Sequence, residues 1–100
     1  MKINLDKLLP NRVLLIRQEH SLSQQQMADI LNVSKTYYNR LENGTRKMNT
    51  LQIDAIAKRF SVDSDELVAL GLVDQIESLL EDVSEKVVFQ AMSILNNRIK

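Results

Sequence analysis

Apolar residues recur at spacings of three and four along nearly the whole chain, and short polar clusters interrupt them. That spacing puts apolar side chains on one face of an α-helix. Val13 and Ile16 mark a first helix running to about Glu19, with Pro10 in its first turn, where a missing N–H costs nothing. Met27, Ala28, Ile30 and Leu31 mark a second helix at about 24–31, and Tyr38 and Leu41 a third at about 35–42. Ile53, Ile56 and Ala57 form the inward stripe of a fourth, which ends near Arg59; Phe60 and Val62 anchor the turn that follows. A fifth helix is expected from Asp63 to a stop at Gly71.

The polar clusters carry start and stop chemistry. Ser23 with Gln26, and Asn49 with Gln52, have the spacing of a capping box, and Ser34 and Asp63 (with Glu66) are further N-cap candidates. Asn43-Gly44 is a stop, since glycine takes the left-handed cap without strain. Two helices of about eight residues joined by a turn of three or four have the spacing of a helix-turn-helix. Beyond Gly71, apolar residues continue at Val73, Ile76, Leu80, Val83, Val87, Ala91 and Ile94. With no further glycine or proline, 72–100 is expected to form one long amphipathic helix. The fold class is therefore all-α, five helices plus this tail, with domain units at 1–71 and 72–100. Nothing indicates a strand or a repeat.

Composition narrows the function. The chain has no cysteine and a single histidine, His20, so thiolate metal sites and disulfides are excluded and no metal or other cofactor is expected. No Ser–His–acid set, glycine-rich phosphate loop or carboxylate cluster points to an enzyme. No apolar run approaches the ~20 residues of a membrane span, and nothing resembles a signal peptide, so a cytoplasmic protein is expected. The net charge of zero conceals a division. Residues 1–60 hold ten Lys/Arg and five Asp/Glu, whereas 61–100 hold three and eight. A basic part facing a polyanion and an acidic remainder would account for it.

Arg17, Leu22-Ser23-Gln24, Met27-Ala28, Val33-Ser34, Arg40-Leu41-Glu42-Asn43-Gly44, Arg46 and Ile56-Ala57 follow one another in an order that resembles the Cro/C1-type (XRE) helix-turn-helix family, over about 60 residues. The resemblance implies a five-helix phage-repressor-like domain of bacterial or phage origin. It further implies sequence-specific binding of double-stranded DNA, usually as a homodimer on a palindromic operator and most often as a repressor.

With Tyr38 and Leu41 inward, the third helix presents Lys35, Thr36, Tyr37, Asn39 and Arg40 outward. Lys35 and Arg40 can donate to guanine O6 and N7, and Thr36 can offer its hydroxyl or its methyl to a base edge. Tyr37 can serve a base or a phosphate. Gln24, Asn39, Asn43, Arg46 and Lys47 are the candidate phosphate contacts; in the family, the positions matching Gln24, Asn43 and Arg46 have that role. Arg17 and Glu42 fall toward the apolar sides of their helices, where a lone charge is costly, and the family pattern pairs them as a structural ion pair.

Leu14, Leu15 and Leu51 stand where the family is usually polar, and His20-Ser21 replaces a common glycine. The extra leucines suggest a covered surface, and the amphipathic tail is the candidate cover. It either folds back over the first helix or pairs with its copy, the second being slightly favoured. A contrasting function is an antitoxin-like subunit that neutralises a partner protein through 72–100 and regulates its own operon.

Overall fold

The computed structural model describes residues 7–99; Ile3 and Leu5 of the apolar N-terminal segment, and Lys100, lie outside the described residues. Those described form six α-helices and no strand. They are α1 (Leu8–Glu19), α2 (Gln24–Leu31), α3 (Lys35–Asn43), α4 (Thr50–Phe60), α5 (Ser64–Leu79) and α6 (Glu85–Arg98).

The caps fall where the polar clusters put them. Ser23 and Asn49 each close a complete capping box, with Gln26 and Gln52 returning a side-chain oxygen to the cap N–H. Ser34 accepts from the Tyr37 N–H, and Asp63 accepts from Asp65 rather than from the N3 residue Glu66. Each such cap stabilises its helix by about 1 kcal/mol. Gly44 ends α3 at φ 83°, a left-handed conformation that a Cβ would strain.

The core lies where α1, α3, α4 and α5 meet over α2. Val13, Ile16, Met27, Tyr38, Leu41, Ile56 and Leu67 are completely enclosed, and Met48, from the basic loop after α3, is buried with them. Ile30, on the apolar stripe of α2, is only half-buried against this cluster, as is Val33 in the turn that follows.

The C-terminal part departs from expectation in three ways. First, Gly71 does not end α5. It packs against α1, where an added Cβ would lie 3.1 Å from Leu9 Cδ2. The roughly 1 kcal/mol that glycine costs a helix is offset by this packing. Three residues on, the Asp74 carboxylate accepts from the backbone N–H groups of Leu8 and Leu9 at 2.7 and 3.0 Å, capping α1 from across the fold.

Second, 72–100 is not one helix. α5 stops at Leu79, a turn spans 80–84, and α6 starts anew with Ser84 accepting from Val87 N–H. Glu77, Glu81 and Asp82 crowd the C-terminal end of α5, where the helix dipole disfavours negative charge, and Ser84 offers a new start.

Third, the tail does not cover the additional leucines. Leu14 is half-buried, but Leu15 and Leu51 remain 51% and 80% exposed, and α6 has no buried residue. Between α5, the start of α1 and the α3–α4 loop there is instead an open groove of about 860 Å³, lined by Leu9, Ile53, Val68, Leu72 and Leu79 among others.

Candidate nucleic-acid interface

α2, its turn and α3 form one rigid unit. Asn32 takes a left-handed conformation (φ 58°), and the Val33 N–H reaches back to the Ala28 carbonyl at 3.0 Å. The chain can then restart at Ser34. Tyr38 and Leu41 anchor α3 from below, so Lys35, Thr36, Asn39, Arg40 and Asn43 are all exposed on its other side.

Beneath that surface a hydrogen-bonded network is centred on Glu42. Arg17 grips it with Nε at 2.8 Å and Nη2 at 2.9 Å, while Arg17 Nη1 donates to the Leu22 carbonyl at 3.0 Å. Tyr38 Oη donates to Glu42 Oε2 at 2.6 Å, and Gln24 Nε2 donates to Glu42 Oε1 at 3.1 Å. Four side chains from α1, α2 and α3 thus lock the recognition unit onto its support. Burial pushes the Glu42 carboxyl up, but the bonds from Arg17, Tyr38 and Gln24 outweigh it and hold the group below its ordinary value. The bond to Glu42 raises the Arg17 guanidinium. Burial, followed by the bond to Glu42, raises the Tyr38 phenol far above its ordinary range.

The Arg17–Glu42 contact was expected from the sequence. The roles of Tyr38 and Gln24 in it were not, although Tyr38 and Glu42 are four apart on one helix and so share a face.

On the surface, the amides Gln24, Asn39 and Asn43 form one row. Asn39 Nδ2 reaches Gln24 Oε1 at 3.5 Å, and Asn43 Nδ2 reaches Asn39 Oδ1 at 3.4 Å. Asn43 Oδ1 then accepts from Thr45 N and Oγ1 at 2.9 and 2.7 Å. The row runs from the first turn of α2 to the loop beyond α3. Arg46 folds back over the Tyr37 ring, its guanidinium carbon 4.6 Å from the centroid. Hydrogen bonding by Arg46, then Gln52, holds the Tyr37 phenol below its ordinary value. Tyr37 is half-buried, not a fully outward residue, whereas Lys35, Thr36, Arg40 and Lys47 are exposed.

His20 is the C-cap of α1, with Nδ1 donating to the Ile16 carbonyl at 2.9 Å and its ring 4.7 Å from Phe60. Among the described residues no group of three or more His, Cys, Asp or Glu is placed to hold a metal ion. No helix among them is long and apolar enough to cross a membrane.

Comparison with known proteins agrees with this geometry. A family model described as helix-turn-helix matches residues 13–67. Antitoxin PezA of Streptococcus pneumoniae is 36% identical over 53 residues, a match that covers 53% of this chain and 34% of that protein, so the chain spans about a third of the relative's length. No solved structure matches the chain.

Proposed function

The chain belongs to the helix-turn-helix family of the Cro/C1 type, a family of DNA-binding regulators, and from that premise we propose that it is a sequence-specific transcriptional repressor acting as a dimer on a palindromic operator. The observation that carries this reading is the capped, core-anchored α3 with Lys35, Thr36 and Arg40 exposed along it. Side chains on such a helix reach base edges in the major groove. Gln24, Asn39 and Asn43, already aligned, together with Arg46 and Lys47, supply the phosphate contacts that set register. Tyr37 supports Arg46 and contacts the backbone or a base beside it. DNA recognition is assigned to residues 1–71 and assembly to 72–100, although α5 crosses that boundary unbroken.

Selection of bound duplexes from a random pool at near-physiological salt tests the proposal. The expected result is a palindrome whose half-sites lie about one helical turn apart. Salt-sensitive binding without a consensus would overturn it.

The name of the similar protein, an antitoxin, supports a second reading. In it the C-terminal part neutralises a toxin protein while the helix-turn-helix domain regulates the operon. The exposed apolar side chains of α6 are available for such a partner.

A further inference from the structure

α6 is amphipathic yet covers nothing. Projected at 100° per residue, Val87, Val88, Ala91, Met92, Ile94, Leu95 and Ile99 fall within an arc of about 160°, which Arg98, in the last turn, also enters. The opposite side carries Lys86, Gln90, Ser93, Asn96 and Asn97, with Phe89 the one apolar residue among them. Despite this segregation no residue of α6 is buried; Val87 is 50% exposed, Ile94 61% and Ile99 73%. A face this wide, on a helix with its own N-cap, is built for a partner.

Size and charge together identify the partner. The α6 face offers on the order of 500 Å², so two copies would bury about 1,000 Å², the threshold of a specific interface and short of the roughly 1,200–2,000 Å² of most stable ones. Leu79 and Val83, also exposed just ahead of α6, add to it. The charges are unevenly distributed along this arm. Glu77, Glu81, Asp82 and Glu85 crowd its near end, offset there by Lys86 alone, and Arg98 stands at its far end. Parallel pairing with a second copy would set acids beside acids. Antiparallel pairing sets each acidic end against the partner's Arg98, opposes the two helix dipoles, and satisfies a two-fold axis.

We propose that α6 pairs antiparallel with α6 of a second copy of this chain, the two-fold axis passing near Ala91 and Met92. This deepens the dimeric reading above and rests on it, but its test requires no DNA.

The test is light scattering of the whole chain at tens of micromolar, followed by cysteine cross-linking. The expected mass is twice 11.5 kDa. Leu95→Asp should return it to the monomer while leaving the core folded, because α6 contributes no buried residue to that core. The chain has no cysteine, so single introductions are unambiguous. Ala91→Cys, near the axis, should link two copies under mild oxidation. Val87→Cys should not, since its two copies would stand roughly 13 Å apart along the seam. A monomer at every concentration, or a dimer that survives Leu95→Asp, overturns the proposal. Cross-linking of Val87→Cys as efficient as that of Ala91→Cys overturns the antiparallel arrangement. A dimer that forms as expected but selects no DNA sequence would overturn the repressor reading alone.

Discussion

Arg17 and Glu42 face each other as a two-pronged pair, Nε to Oε2 at 2.8 Å and Nη2 to Oε1 at 2.9 Å, joining α1 to the last turn of α3. Their side chains are only 17% and 8% exposed. Removing one partner strands the other in a poorly solvated site. Arg17→Ala should therefore cost about 3 kcal/mol, the lower end for a buried pair because some water reaches the arginine. In a domain this small the loss corresponds to a fall in Tm of roughly 10–20 °C. Thermal denaturation followed by circular dichroism measures it, and a variant melting within a few degrees of the parent would show that the pair is not structural.

The same network dictates how stability responds to acid. Burial alone would raise the Glu42 carboxyl, yet the bonds from Arg17, Tyr38 and Gln24 leave it depressed in the folded chain. A depressed folded-state pKa contributes stability that is present above the unfolded value, about 4.3 for glutamate. That contribution disappears as pH falls through the folded value. Urea midpoints should thus stay level from pH 7 to about 5 and fall below about pH 4. In Glu42→Gln the fall should be shallower from a lower plateau. Equal acid slopes for the two proteins would remove Glu42 as the cause.

Asp74 connects the far end of α5 to the start of α1 through the N–H groups of Leu8 and Leu9. Asp74→Ala should lower stability by about 1 kcal/mol, as loss of an N-cap does. Asp74→Asn should lower it less, because its amide oxygen still accepts. Ending the chain after Gly71 should cost more than either, since it removes the cap and the continuation of α5. Denaturant titration of the three orders them. If the truncated chain proved as stable as the whole, the second half of α5 would be dispensable to the fold.

The periodic apolar residues and the caps at Ser23, Ser34 and Asn49 made α2, α3 and α4 legible in the sequence, because those signals act within four residues. The Arg17–Glu42 pair was legible only through resemblance, since nothing local relates residues 25 apart. Gly71 was misread for the complementary reason. A glycine at the end of an apolar run has the pattern of a stop, and only the approach of Leu9 across the fold shows it to be a packing position. Asp74 gave no local signal, as its partners are more than sixty residues away. In the candidate interface, the exposure of Lys35, Thr36 and Arg40 followed from the helical register. The fold of Arg46 onto Tyr37 did not, because a loop of irregular φ and ψ has no period to read.

Exposed positions on α3 and positions in the following loop should differ in what they do to binding. Lys35→Ala and Arg40→Ala should each relax the preference at one position of the selected operator, losing about 1–3 kcal/mol of discrimination there. Lys47→Ala should weaken binding to every duplex by a similar factor and reduce the salt dependence by about one ion released. Arg46 has two tasks, a charge for phosphate and a plane over the Tyr37 ring. Arg46→Lys should keep the salt slope while still weakening binding, because an ammonium preserves the charge and loses the planar stack. Fluorescence anisotropy with the selected operator and its single-base variants, at several salt concentrations, separates these effects. If Lys35→Ala weakened all duplexes equally while Lys47→Ala altered base preference, the roles of α3 and its following loop would have to be exchanged.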